Sequence, residues 1–255
     1  MIEVFQTPGP VTLLLRLPAG EIEIETVEGS ETQVELEPDE NARVECRERA
    51  GRYEVVAEVK GLRLGRDTSH RLRLRVPHGS AVDADTKAAD VHGRGRFGAV
   101  DLNTASGDVS FEVVDEAVKV NSASGEISFE RIEGEVTINT ASGDVELQTL
   151  AGAAKVRTAS GDVSVGSAGS SLSAQTASGD VRVGSVSEGK VSLQSASGDL
   201  HVGIRRGSRL WVDARSLSGE TTSELEVGDA PPDEEGPLVE LRATTMSGDI
   251  EIVRA

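Results

Sequence analysis

The sequence predicts an all-β fold: a β-solenoid, a single-stranded β-helix-like stack of 18-residue two-strand coils, with an irregular β N-terminal cap. Three observations predict it. A Ser-Gly-Asp/Glu triplet recurs at regular spacing, apolar residues alternate on both sides of each triplet, and the same residue types return at the same place in successive repeats.

Residues 1–80 carry this pattern irregularly and read as the cap region, continuous with the stack. Leu13, Leu15 and Leu17 alternate, and Ala19-Gly20-Glu21-Ile22 repeats the turn chemistry of the later coils. Two segments of the cap are complementary, because Glu21, Glu23 and Glu25 share one strand face while Arg71, Arg73 and Arg75 share another. Paired, each opposite-charge contact contributes about 0.2–1 kcal/mol. The Arg row therefore reads as a strand neutralised by acidic neighbours, with a phosphate or lipid-headgroup patch as the alternative.

Residues 81–255 are the repeats. The triplet stands at Ser106, Ser124, Ser142, Ser160 and Ser178, each 18 residues after the last, and then at Ser197, Ser218 and Ser247 as loops lengthen. A degenerate copy, Ala88-Ala89-Asp90, precedes them, which makes nine coils. Before each triplet come inward pairs such as Val118 and Val120 or Val136 and Ile138; after it come Val109 and Phe111 or Val145 and Leu147. Glycine in the triplet supplies a left-handed turn conformation, and aspartate bonds to nearby backbone. A second turn lies near Gly98, Gly134 and Gly152.

Stacking is favoured over an antiparallel meander by column chemistry, since a stack places like on like. Positions 82, 100, 118, 136, 154 and 172 hold Val, Leu or Ala, and positions 86, 104, 122, 140, 158, 176 and 195 hold Thr or Ser. Three irregularities lie at the far end. An acidic loop insertion spans 226–237, Thr221 and Ser223 replace aliphatic residues so that the second strand of coil eight is expected to fray or to leave the core, and Ile250–Val253 ends the chain as a candidate exposed edge for another copy, with blunting by Glu251 and Arg254 as the alternative.

Composition narrows the function. Aromatic residues are only 2% of the chain, so the interior is narrow and filled by small and branched side chains. The net charge of −18 disfavours nucleic acid and anionic membrane surfaces as partners, and no apolar run approaches the length of a membrane span, so no membrane insertion is expected. The lone Cys46 has no internal disulfide partner, and the opening residues MIEVFQTPGP lack the features of a secretion signal, so a cytoplasmic location is expected.

No catalytic residue and no cofactor stands out. His70, His78, His92 and His201 are scattered and read as solvated surface residues. The repeated acids, chiefly Asp108, Asp144, Asp162, Asp180 and Asp199, read as turn residues, with calcium ligation as the alternative. Trp211 and the outward row Asn103, Asn121, Asn139, Arg157, Gln175 and Gln194 are the candidate contact surface.

The repeated T-A-S-G-D-V units, the Leu17–Gly20 element, Gly61-Leu62-Arg63-Leu64-Gly65, and Gly203-Ile204-Arg205-Arg206-Gly207 leading to Trp211-Val212-Asp213 resemble domain-of-unknown-function family 4097. These are the toastrack β-solenoids, also named as candidate adhesins, and the likeness is strongest to soluble actinobacterial members. The resemblance implies a β-solenoid with sensor or scaffold roles, in some members beside membrane segments in envelope-stress systems, and supplies no catalytic residues. The expectation is a non-enzymatic interaction scaffold that binds an unknown protein partner or self-associates through its ends. A cation-binding solenoid and a polysaccharide-active β-helix are the alternatives; the scarcity of aromatic residues weighs against the second.

Overall fold

The computed structural model describes residues 1–38, 41–49, 51–59, 69–224 and 236–255, and every regular element among them is a β-strand. Most of the expected loop insertion, and the Gly61–Gly65 segment, lie outside the described residues. The chain divides into two compact units, Met1–Phe129 and Glu130–Ala255.

In the first unit the strands are β1 (Ile2–Gln6), β2 (Val11–Val27), β3 (Glu31–Glu37), β4 (Ala42–Arg49), β5 (Arg52–Val59), β6 (His70–Pro77), β7 (Ala81–Phe97), β8 (Val100–Ser106), β9 (Val109–Val114) and β10 (Val118–Ser124). The next strand, β11 (Ile127–Ile132), spans the boundary. Strand β2 is a whole coil by itself. It turns its corner at Gly20, whose φ of +127° only glycine adopts freely, and its Leu13, Leu15, Leu17, Ile22 and Ile24 are at most 1% exposed. The first half of β2 pairs in parallel with β5 and the second half with β6, while β7 runs along its other side over both halves. The order in space is therefore β5 and β6, then β2, then β7, although β2 comes first in sequence. Strand β4 pairs antiparallel with β5, β3 with β6 and β1 with β3. This is the irregular cap that the sequence predicted.

The core of this unit holds the chain's few large rings. Phe111 stacks on Phe129 with centroids 5.6 Å apart and meets Phe97 edge-on at 5.1 Å. Room for the ring comes from Gly93, paired in register with Phe111; a β-carbon there would sit 2.2 Å from the Phe111 ring.

The second unit contains β12 (Val136–Ser142), β13 (Val145–Leu150), β14 (Ala154–Arg157), β15 (Val163–Ala168), β16 (Leu172–Ser178), β17 (Val181–Val186), β18 (Gly189–Ser197), β19 (Leu200–Ile204), β20 (Arg209–Ser218), β21 (Thr221–Ser223), β22 (Leu238–Ser247) and β23 (Ile250–Arg254). They form two parallel ladders, one from β12 through β14, β16, β18 and β22 to β20, the other from β13 through β15, β17, β19 and β23 to β21. Val136, Ala154, Leu172, Val191, Leu241 and Val212 stack in one register column, which is the solenoid arrangement and not a meander.

The ladder order corrects one expectation. Ile250–Val253 is not an exposed edge, because β23 lies between β19 and β21; the terminal coil is the earlier one, β20 with β21. Strand β21 is exposed throughout, and so out of the core as the sequence suggested, yet it remains paired with β23 and does not fray; its Thr and Ser residues suit a strand with no coil beyond it to bury against.

Two features hold coil to coil at the Ser-Gly-Asp turn. A β-carbon on Gly161, Gly179, Gly198, Gly248 or Gly219 would lie 2.1–2.2 Å from the glycine carbonyl oxygen of the adjacent coil, so glycine is required for close approach as well as for its positive φ. The Thr/Ser column supplies the second feature. Thr176, Ser195, Thr245 and Ser216 donate to the carbonyl oxygens of Gly161, Gly179, Gly198 and Gly248 at 2.8–3.4 Å. Thr86, Thr140 and Thr158 make no such bond among the described residues.

Candidate functional site

The repeated acids form a ladder through their backbones. In the first unit the Asp108 amide donates to Asp90 Oδ1 and the Glu126 amide to Asp108 Oδ1, both at 2.9 Å. In the second unit Asp162 donates to Asp144, Asp180 to Asp162, Asp199 to Asp180, Asp249 to Asp199 and Glu220 to Asp249, each amide reaching an Oδ1 at 2.7–2.9 Å. Each of these aspartate acceptors thus anchors the turn of the next coil, which makes specific the bond to nearby backbone that the sequence suggested. Glu220 ends the series, and as the terminal member it has no further turn to hold. Part of the column's charge is met internally, since Arg182 lies 2.6 Å from Asp180 Oδ2 and 3.8 Å from Asp162 Oδ2. No cluster of three or more His, Cys, Asp or Glu suited to a metal ion occurs among the described residues.

The outward amides also form chains. Asn121 Nδ2 donates to Asn103 Oδ1 at 2.9 Å. In the second unit Asn139 is in register with Arg157, Arg157 Nε donates to Gln175 Oε1 at 3.3 Å, and Gln175 Nε2 donates to Gln194 Oε1 at 3.1 Å. In each unit the result is a row of regularly spaced polar side chains bonded from coil to coil.

The complementary cap strands pair as the sequence predicted. Arg71, Arg73 and Arg75 meet Glu21, Glu23 and Glu25 at 3.3, 2.8 and 2.9 Å, with Glu37, Glu35 and Gln33 of β3 in register on the opposite side. The hydrogen bond that Arg73 donates to Glu23, together with the negative charge of Glu23, holds the Arg73 guanidinium above its ordinary pKa. A cleft of about 820 Å³ beside these strands mixes Arg73, Arg75 and Arg94 with Glu21, Glu23, Glu25 and Glu35, so it presents no single-sign field for a phosphate. Neighbouring β4 carries a second cluster, in which hydrogen bonds from Arg43 and then Arg47 lower the Glu45 carboxyl. Burial raises the Cys46 thiol, which keeps it in its less nucleophilic protonated form.

The histidines do not converge. His78 bonds to Thr26 Oγ1, His92 to Ser110 Oγ and His201 to Glu251 Oε2. His70 is buried, against the expectation of a solvated ring, because it opens β6 directly beside Gly20 of β2.

Trp211 is 46% exposed on the terminal coil, with the Arg242 guanidinium 5.7 Å from its ring centre. Sequence reasoning missed its companions. The outward position held by Ala105, Ala123, Ala141, Ala159, Ala177 and Ala196 becomes Met246 on β22 and Leu217 on β20, which are 58% and 81% exposed. That switch from alanine to large apolar residues in one column was the available signal. Among the described residues of this unit, Trp211, Val212, Leu217, Leu238 and Met246 are the exposed large apolar ones, and all lie on β20 or β22.

No curated protein matches the chain. Among solved structures, one of an adhesin candidate from Bacteroides fragilis is similar at 10% identity and a TM-score of 0.49, covering 100% of this chain and 96% of that one. A candidate cell adhesion protein from Clostridium sporogenes aligns over 100% and 99% of the two chains, at 10% identity and a TM-score of 0.30. The Toastrack DUF4097 family profile matches residues 15–253, nearly the whole length, and the chain belongs to that family.

Proposed function

We propose that the protein is a non-enzymatic, cytoplasmic interaction scaffold. The observation that carries this reading is the repetition itself. Successive coils present outward polar side chains, amides in most of them, and backbone-engaged carboxylates, which suits extended contact with a partner. The contacting residues are Asn103 and Asn121 in the first unit, and Asn139 and Trp211 in the second.

The test is affinity capture from lysate by wild-type protein and by a variant in which Asn103 and Gln194 are changed to glutamate. The scaffold reading expects capture that survives chelator and is lost in the variant while its melting temperature is kept. Capture abolished by chelator would transfer the role to the acidic ladder, and saturable turnover on a glycan panel would overturn the non-enzymatic reading.

A further inference from the structure

Strand β20 pairs with β22 on one side only, and among the described residues nothing pairs with its other edge. An open edge bearing exposed apolar side chains is a template for another strand. The order of its outward residues, Trp211, Asp213, Arg215 and Leu217, specifies which strand fits.

We propose that β20 pairs antiparallel with β20 of a second copy of this chain, about a two-fold axis through Ala214. In that register Asp213 faces Arg215 of the second copy and Arg215 faces its Asp213, while Trp211 faces Leu217 and Leu217 faces Trp211. All four pairs lie on one face of the joined sheet, at the short cross-strand separation where opposite charges attract and apolar side chains pack. Each strand end is thus matched apolar to apolar and the centre positive to negative, the self-complementarity that a two-fold interface demands. The coil is also balanced in charge, with Arg209 and Arg215 against Asp213 and Glu220, in a chain that otherwise carries −18. Two such copies therefore meet through strands whose own charges cancel.

Pairing also gives shelter to Val212, which continues the buried column of Val191 and Leu241 yet is 39% exposed for want of a further coil. The proposal goes beyond the scaffold reading, because it names the occupant of the end and leaves the outward amide face untouched. The N-terminal edge strand β1, with Ile2 and Val4 exposed, is the competing site, and its union with β20 of another copy gives open chains in place of dimers.

Sedimentation velocity and tryptophan fluorescence over a dilution series test the proposal. Trp211 is the single tryptophan, so dimer formation moves its emission to shorter wavelength in step with the doubling of mass. Asp213→Arg or Arg215→Asp places like charges opposite each other at two symmetric points and weakens the dimer on the order of tenfold or more. The double exchange D213R/R215D restores both pairs and returns dissociation to the wild-type range. Asp213 and Arg215 also pair within one chain at 2.9 Å, so the single exchanges disturb that contact as well, and circular dichroism melting checks the fold of all three variants. A wild-type chain that stays monomeric, assemblies that grow beyond two, or a double exchange as weak as the single ones overturns the proposal.

Discussion

Truncating Asp162 to alanine removes the acceptor that holds the amide of Asp180 in the next coil at 2.8 Å. The amide stays in place because the strands on either side of the turn remain paired, so its hydrogen-bonding capacity passes to water. Bonds to charged acceptors contribute about 1.5–3 kcal/mol when well shielded. The Asp162 side chain is 52% exposed, which brings the expected loss for D162A to about 1–2 kcal/mol. For a chain of this size that is a fall of roughly 2–8 °C in melting temperature. Asp162→Asn keeps Oδ1 as an acceptor and relieves repulsion from the carboxylates one coil away, about 0.9 kcal/mol at the dielectric of water. D162N is therefore expected within about 0.5 kcal/mol of wild type. Differential scanning calorimetry of the three proteins, with EDTA and again with millimolar calcium, is the assay. An asparagine variant as unstable as the alanine one, or a melting temperature that calcium raises in wild type and not in D162N, would refute the turn-anchoring account.

Other consequences follow from the same packing. Gly161→Ala places a β-carbon 2.2 Å from the Gly143 carbonyl oxygen at a φ of +151°, and is expected to cost about 2–4 kcal/mol by urea unfolding. Gly93→Ala is strongly destabilising alone because it meets the Phe111 ring, and Phe111→Ala costs about 3–5 kcal/mol; the double variant is expected to lose much less than the sum of the two single losses, as a double-mutant cycle would show. The Glu45 carboxyl is lowered by Arg43 and Arg47, so its contribution is present above its unfolded pKa and lost as pH falls through the folded value. Glu45→Gln should accordingly flatten the acid side of a urea-midpoint profile below about pH 4.5 and leave its slope near neutrality unchanged.

Much of this was legible because a solenoid repeats its chemistry. The 18-residue period gave the registers directly, and Val118 above Val100 or Ser178 above Ser160 needs no more than like on like. The Glu21–Arg71 row was legible for the same reason, since charge alternation with period two fixes a face. What escaped was the order of coils at the two ends. Strand β2 is set between β6 and β7, and β22 with β23 between the preceding coil and β20 with β21. Each coil offers nearly the same edge, so local pattern does not say which stacks on which. The discriminating signals are single residues: Thr221 and Ser223 where no core lies beyond, and Leu217 in place of alanine. The role of the acids was half legible, because aspartate at a turn was evident while its reach to the next coil required the stacking distance.

The account rests most on that terminal order, which places Trp211 and the open edge of β20 at the end of the stack. Engineered disulfides test it directly in a Cys46→Ser background, because parallel neighbours in register lie within bridging distance and strands two coils apart do not. Ser247 is in register with both Ser197 and Ser218. The S197C/S247C and S218C/S247C pairs are predicted to oxidise readily within one chain, and S197C/S218C to stay reduced. A rapid intramolecular bridge between positions 197 and 218 would show that the coils stack in sequence order and would contradict the account.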